Sequence, residues 1–190
     1  MDMQPVLLDV SDTLFTERLT IRCPRAGDGQ KLFDATIESL DALREFPASL
    51  PWAIEPPSID ASEAYCRTRF ADFSARRDFS FLMLLRDTET VVGCGGIHRP
   101  VWSIPAFDIG WWGRTPYLGQ GLISEGVNAL LRFAFSDLGA RRVQALVDEL
   151  NEKSWRLCER VGMGFEGTQQ HSQIDPSGRL RNTKVYASVR

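Results

Sequence analysis

The sequence lacks the features that mark membrane, secreted and nucleic-acid-binding proteins. No apolar run approaches the roughly 18 residues of a membrane helix, and residues 1–11 have no basic start followed by an apolar stretch, so we expect neither a membrane partner nor a signal peptide. Positive charge is not in excess either, because the net charge is −3. Since nucleic-acid affinity depends on Lys and Arg contacts to phosphates, we expect no nucleic-acid partner. These absences favour a cytoplasmic protein.

Metal-ligating residues are also scarce. The four cysteines are scattered, without a Cys-x-x-Cys pair, at Cys23, Cys66, Cys94 and Cys158. With two histidines they do not form a recognisable zinc pattern, so we expect no metal site and free thiols in a reducing compartment. Histidine side chains are candidates for proton transfer. Neither His98 nor His171 has a partner visible in the sequence, which favours a structural or surface role for both.

Length and periodicity predict one folded unit. A chain of 190 residues with 43% apolar residues can bury one full core, so we expect a single domain over residues 1–190, with a flexible or loosely packed N-terminus at residues 1–11. The alternation of apolar residues predicts the element order β-α-α-β-β-β-α-β-α-β-β. Asp28 is the expected N-cap of the first helix, and the second helix follows Asp60 or Ser62. The predicted hairpin joins Phe79–Leu85 to Val91–His98.

Residues 107–135 form the most informative stretch, with an apolar strand, a glycine turn and a helix. The turn is Gly119-Gln120-Gly121, and the apolar residues after it have helical spacing. Unpaired N–H groups of such a turn, together with the positive end of the helix dipole, can hold a phosphate or pyrophosphate. A P-loop is excluded because no Lys follows Gly121, and a dinucleotide fingerprint because Ser124 replaces its third glycine. An anionic cofactor and a plain chain turn remain as alternatives.

The C-terminal part supplies a further strand, a short capped helix and a hairpin. Residues 142–147 alternate as a strand, Asn151 can cap the helix, and Gly162 can end it. The last two strands are predicted near residues 165–172 and 183–189.

With this order and these motifs, the chain resembles the GNAT superfamily of acyl-CoA N-acyltransferases, most closely the branch with the RimJ and RimL protein N-terminal acetyltransferases. The matching motifs are Thr16-Glu17-Arg18-Leu19 with Arg22, Asp108-Ile109-Gly110-Trp111, Gly119-Gln120-Gly121 with Glu125, and Asn151 with Ser154 and Gly162. The resemblance covers nearly the whole chain and implies an α/β fold with a mixed sheet.

Two positions depart from the loop pattern of this superfamily. Leu118 replaces an Arg or Gln, which backbone binding of a phosphate tolerates. Ile123 replaces a small residue, where a narrower pocket or weaker cofactor affinity is the expected cost.

The resemblance implies acetyl-CoA as the cofactor and assigns its binding residues. The strand ending Trp111-Trp112-Gly113 is expected to splay from its neighbour and pair with the pantetheine amides. The pyrophosphate is expected on the loop Leu118, Gly119, Gln120, Gly121, Leu122 and Ile123. Asn151 is expected to contact the pantetheine arm, as an alternative to or together with an N-cap role.

Direct transfer to an amine needs a proton acceptor and a proton donor. Asp108 is the leading candidate base, with Asp148 and Glu149 as alternatives. Cys158 occupies the position of a family Tyr acid; its alternative is a buried packing role, and Ser154 is a second candidate donor through water. Glu125 is interpreted as structural first and as part of the substrate entrance second.

Three functions are compatible with these residues. The first is an acetyltransferase for a protein or peptide N-terminal amine, with Trp52, Trp111 and Trp112 as walls of a groove. The second acts on a small amine, such as a polyamine, an amino acid or an aminoglycoside-type antibiotic. The third is an acyl-CoA-binding module with little catalysis, which Leu118, Ile123 and the missing Tyr favour. The protein is expected to be a monomer or a homodimer.

Overall fold

The computed structural model describes residues 4–190 and is built on one mixed sheet. Its eight strands are β1 (Thr13–Phe15), β2 (Leu19–Arg22), β3 (Phe79–Leu85), β4 (Val91–Val101), β5 (Ala106–Gly113), β6 (Arg142–Asp148), β7 (Gly164–Ile174) and β8 (Leu180–Val189). They are ordered β1-β2-β3-β4-β5-β6-β8-β7. Neighbouring strands are antiparallel except β5 and β6, which are parallel. The predicted α/β class with a mixed sheet is confirmed.

Helices lie on both faces of the sheet. They are α1 (Gly29–Ile37), α2 (Leu40–Leu43), α3 (Ile59–Ser74), α4 (Leu122–Ser136) and α5 (Glu152–Arg160). Helix α4 buries the apolar face that its sequence spacing predicts, including Val127 and Leu130, against the β3–β5 strands. On the opposite face, Leu32 of α1 and Cys66 of α3 pack against Cys94 of β4. The alternating side chains of β4 and β5 therefore separate a core face from the face that α1 and α3 cover.

Aromatic side chains hold the main core together. Phe133 of α4 lies edge-to-face with Phe79 and Phe81 of β3, at ring-centroid distances of 5.8 and 5.3 Å. Such edge-to-face pairs add about 0.5–1.5 kcal/mol beyond the area that they bury. This packing fixes the orientation of α4, and hence of its N-terminal end, relative to the sheet.

Several predicted boundaries are wrong at the N-terminal half. Strand β1 was not predicted, because three residues are too short for a clear alternation. The first helix divides at Ser39, whose Oγ donates to the Ala35 carbonyl and accepts the Thr115 amide. Helix α3 begins at Ile59, since Ser58 caps it by accepting the Ala61 amide.

Asp28 occupies the N-cap position of α1 but makes no capping hydrogen bond. Its carboxylate instead accepts from both terminal nitrogens of Arg22, at 2.6 and 2.7 Å, and from the Arg25 amide. The predicted role of Asp28 as a cap is therefore wrong, and the residue ties β2 to the start of α1.

The N-terminal segment contacts the body of the protein in the described residues. Pro5–Leu7 form a 3-10 turn, and the Leu8 carbonyl accepts two hydrogen bonds from the Arg76 guanidinium, at 2.6 and 3.1 Å. The expectation of a loose N-terminus also covers residues 1–3, which lie outside the described residues. Within residues 4–190, no helix is both long and apolar enough to cross a membrane.

Candidate active site

A gap opens between the two parallel strands in the middle of the sheet. Strands β5 and β6 pair only where residues 106–108 face residues 142–144, yet both continue, to Gly113 and Asp148. The predicted splay is therefore confirmed. A cavity of about 120 Å³ lies in the gap, and Ser154 of α5 and the residue that caps this helix, Asn151, line it together with both strands. Beyond Asp108, β5 is paired on one side only, by β4.

The glycine loop lies at the N-terminus of α4 and exposes its backbone donors. Gly119 and Gly121 both have φ of 78°, a left-handed conformation that favours glycine. Among residues 4–190, no protein group accepts a hydrogen bond from the backbone N–H groups of residues 119–124. These consecutive free donors, at the positive end of a buried helix, fit an anion such as a pyrophosphate.

Arg18, which directly precedes β2, holds this loop in place. Its Nη1 donates to the Gln120 carbonyl at 3.0 Å, and its Nε donates to Glu125 at 2.7 Å. The Arg18 amide donates to the other Glu125 oxygen. Although partial burial works in the opposite direction, hydrogen bonds from Thr16 and Arg18 hold the pKa of Glu125 below its ordinary value. Glu125 thus has the structural role that the sequence predicted.

The unusual Ile123 is accommodated by glycines on the adjacent strands. It is 8% exposed, and its side chain lies directly against Gly93 and Gly113, where an added Cβ would come within 2.7 and 2.8 Å of Ile123 carbons. The branched side chain is buried in the sheet rather than placed over the free N–H groups. The two glycines therefore provide the space for the Ile123 side chain, which was expected to narrow the pocket. Neither glycine could be linked to Ile123 from the sequence alone.

Helix α5 brings two of the three predicted residues to the gap. The Asn151 Oδ1 accepts the Ser154 amide at 3.2 Å, so Asn151 caps the helix, and both residues line the gap cavity. Cys158 lies one turn further along and is fully buried in the main core. Burial raises the pKa of its thiol to about 12. This placement favours the packing role for Cys158 over proton donation.

A larger cavity, of about 640 Å³, lies on the face of the sheet that α1 and α3 cover. Aromatic side chains form part of its wall, and the rings of Trp52 and Trp112 lie 6.2 Å apart. The residues that line both cavities are Ser49, Leu50, Ile109, Gly110, Trp111 and Leu146. The two cavities therefore meet at the gap between β5 and β6.

Asp108, the predicted base, lines the larger cavity but is fully engaged. Its Oδ2 accepts from Arg99 at 2.5 Å, and its Oδ1 accepts from the Gln144 amide at 2.8 Å. The alternative carboxylates are also bound: Asp148 is paired with Arg181, and Glu149 accepts from Asn182.

The structure gives His98 a partner that sequence reasoning missed. The imidazole Nδ1 lies 2.7 Å from Asp78 Oδ2, and Ser80 donates to the other oxygen at the same distance. Despite partial burial, which works in the opposite direction, the His98 contact and the Ser80 hydrogen bond hold the pKa of Asp78 below its ordinary value. The register of the predicted hairpin could have revealed the pair, because Phe79 faces Ile97 and the next residues are Asp78 and His98. His171 lies apart, on the exposed strand β7.

Comparison with known proteins gives consistent similarities. Residues 18–164 match the family described as the Acetyltransferase (GNAT) domain. The uncharacterized N-acetyltransferase YoaA of Bacillus subtilis is 27% identical over 177 residues, which cover 93% of this chain and 96% of that protein.

Solved structures share the fold over nearly the whole chain. The ribosomal L7/L12 α-N-protein acetyltransferase RimL in complex with coenzyme A aligns with a TM-score of 0.83 at 17% identity, covering 92% of this chain and 95% of that one. The microcin C7 self-immunity acetyltransferase MccE, in complex with acetyl-CoA and AMP, also has a TM-score of 0.83, at 18% identity, with 92% and 94% covered.

Proposed function

Because the chain belongs to the GNAT acetyltransferase family, it is an N-acetyltransferase that uses acetyl-CoA, and we propose that its acceptor is the N-terminal amine of a protein or peptide. The observation that carries this proposal is the junction of two cavities at the β5–β6 gap. The smaller cavity lies between β5, β6 and the start of α5, and the larger lies on the face of the sheet that α1 and α3 cover. An amine that enters the larger cavity would therefore reach the gap.

The chain's own residues fit the cofactor. The free N–H groups of residues 119–124 would bind the pyrophosphate, and the unpaired edge of Trp111-Trp112-Gly113 would bind the pantetheine amides as a neighbouring strand would. Asn151 can donate its amide nitrogen to the same arm, since only its Oδ1 is used by the cap. When bound, acetyl-CoA supplies an acetyl group activated as a thioester. Ser154, which lines the gap, would supply a proton to the departing sulfur through water.

The charges of the larger cavity support an acceptor with a single amine. Its lining carboxylates are Glu55 and Asp108, and its lining guanidinium groups are Arg69 and Arg99. A site for a polyamine would need several unpaired carboxylates, whereas Asp108 is neutralised by Arg99. The RimL neighbour, described as an α-N-protein acetyltransferase, is consistent with such an acceptor.

A small aromatic or heterocyclic amine is a second candidate. The tilted pair of Trp52 and Trp112 on the cavity wall can contact a planar ring, and the MccE neighbour is described as a self-immunity acetyltransferase. A third possibility, a weakly catalytic acyl-CoA-binding module, requires that no amine is turned over.

A thiol-release assay on matched acceptors distinguishes these functions. The acceptors are a peptide with a free N-terminus, the same peptide with a blocked N-terminus and one Lys, spermidine, and a panel of amino acids and aminoglycosides. We expect turnover of the free N-terminus and little of the blocked peptide. Turnover confined to the small amines would contradict the peptide proposal, and acetyl-CoA binding without any turnover would favour the binding module.

A further inference from the structure

We propose that His98, held by Asp78, is the group that removes the proton from the acceptor amine. This inference rests on the proposed acetyl transfer and assigns the base within it. The sequence favoured Asp108 for that role and a structural or surface role for His98. The hydrogen bonds of the two side chains support the opposite assignment.

The partner of His98 fixes where its ring proton lies. Asp78 is kept ionised and has no proton to donate, so the 2.7 Å contact requires the proton on Nδ1 of His98. The Nε2 atom then carries a free lone pair. Among residues 4–190, no protein group makes a hydrogen bond to Nε2. A partly buried carboxylate that orients an imidazole in this way is the usual arrangement of a positioned base.

The free nitrogen lies at the junction of the cavities. His98 lines the larger cavity, and its ring covers two glycines on adjacent strands: a Cβ added to Gly96 would lie 2.8 Å from Nε2, and one added to Gly110 would lie 3.7 Å from it. Gly110 lines both cavities. Because both positions are glycines, there is space for the imidazole ring over the two strands, and Nε2 lies beside the gap.

Asp108 is less suited to accept the proton. It faces His98 across β4 and β5, but its two oxygens already accept from Arg99 and Gln144. An incoming amine would have to compete with these two donors for the carboxylate oxygens. Asp108 is therefore engaged by its neighbours, while Nε2 of His98 has no protein partner among residues 4–190.

The charges around His98 come from several elements. Asp78 contacts Nδ1 of the ring, and Nη1 of Arg69 in α3 lies 3.7 Å from the other Asp78 oxygen. On the strands, Arg99 of β4 is paired with Asp108 of β5. Tyr65 of α3 also lines this wall. Two carboxylates and two guanidinium groups thus lie around the imidazole, so the acidic and basic side chains are balanced in number.

The proton balance needs no further reactant. A protonated primary amine carries three protons on nitrogen: one stays in the amide, one reaches the sulfur and one goes to Nε2 and then to water. The new bond joins the amine nitrogen to the acetyl carbon, the carbon–sulfur bond breaks, and its electron pair leaves with the sulfur.

Kinetics of His98→Gln test the assignment, with His171→Gln as the matched control because His171 is the second histidine and lies on the exposed β7. We expect kcat of His98→Gln to fall by about 10²- to 10⁴-fold, the usual contribution of a positioned base. The KM for acetyl-CoA and the thermal stability should remain close to those of the wild type. The acidic limb of the kcat–pH profile that reports His98 should disappear in His98→Gln and persist in His171→Gln.

The contradicting results are distinct. If the wild type is active and His98→Gln has a similar kcat and the same acidic limb of the kcat–pH profile, the base assignment is wrong and the proposed acetyl transfer still stands. A wild type that binds acetyl-CoA but acetylates no amine would overturn the proposed transfer and this inference with it.

Nitrogen NMR of the wild type gives a readout that needs neither cofactor nor turnover. With ¹⁵N-labelled histidine and His171→Gln for assignment, the neutral His98 ring should show its proton on Nδ1 and an unprotonated Nε2. A neutral ring protonated on Nε2 would overturn the proposal, even if the His98→Gln variant failed to fold.

Discussion

Arg18, which directly precedes β2, donates two hydrogen bonds to the Glu125 carboxylate of α4, one from its Nε and one from its backbone amide. A third hydrogen bond joins Nη1 of Arg18 to the Gln120 carbonyl in the glycine loop. The loop is otherwise exposed, and its glycines leave it free to change conformation. The orientation of the free N–H groups therefore depends on a contact made far away in the sequence.

Replacing Glu125 by Gln should weaken acetyl-CoA binding while leaving the fold intact. The amide keeps one acceptor but loses the charge, and because Arg18 is 46% exposed we expect a loss of about 1 kcal/mol, roughly five-fold in Kd. Calorimetric titration measures this. Glu89→Gln, which removes a more exposed carboxylate paired with Lys31, is the matched control and should leave Kd unchanged. Equal Kd values for Glu125→Gln and the wild type would show that the loop is held without this pair.

Two substitutions at Asn151 separate its cap from its proposed cofactor contact. Asn151→Asp keeps the oxygen that accepts the Ser154 amide, so stability should be retained, but it removes the amide donor and should weaken acetyl-CoA binding. Asn151→Ala should lose both, with about 1 kcal/mol of stability. Thermal unfolding and calorimetric titration of both variants measure these effects. Unchanged acetyl-CoA affinity in Asn151→Asp would leave Asn151 with the capping role alone.

Replacing Cys158 by Ala should affect stability and not the chemical step. The thiol is fully buried among apolar side chains, and burial raises its pKa to about 12. Removing it should cost about 1 kcal/mol of unfolding free energy, as for other small deletions in a core. Denaturant unfolding and kcat on the same preparation measure the two effects. A large fall in kcat at wild-type stability would restore Cys158 as the proton donor.

The Arg22–Asp28 pair should make stability depend on pH. Although burial works in the opposite direction, hydrogen bonds from Arg22 and the Arg25 amide lower the pKa of Asp28 in the folded protein. Its contribution is therefore fully present above the ordinary pKa of an aspartate and is lost as the pH falls through the lowered value. Asp28→Asn should reduce the free energy of unfolding by about 3 kcal/mol at neutral pH, because it leaves Arg22 without its charge partner.

Denaturant unfolding over an acidic pH series measures this, with Asp87→Asn in an exposed turn as the control. The difference between Asp28→Asn and the wild type should shrink as the pH falls. A difference that stays constant with pH would mean that the Asp28 charge does not stabilise the fold.

Most strands of the sheet and the glycine loop could be predicted from local patterns, whereas the splay of β5 from its neighbour was implied by the family resemblance. The alternation around β5, the glycine turn before α4 and the cap at Asn151 each need only neighbouring residues. The site chemistry depended on contacts between distant residues. Asp78 and His98 are 20 positions apart in the sequence. The pairing of Asp108, the predicted base, with Arg99 likewise could not be predicted from either residue alone.

The packing of Ile123 likewise depends on residues that are distant in the sequence. Its branched side chain departs from the loop pattern, and the sequence predicted a narrowed pocket. Gly93 and Gly113, on two different strands, supply the space that it fills. Such compensation requires the strand register, which apolar alternation alone does not fix.

The most direct test of this account is a crystal structure of the protein with CoA and an N-terminal peptide bound. We expect the pyrophosphate within hydrogen-bond distance of the backbone N–H groups of residues 119–124, the pantetheine arm between β5 and β6, and the peptide amine in the larger cavity beside His98. A peptide bound outside that cavity, or CoA bound away from the gap, would contradict it.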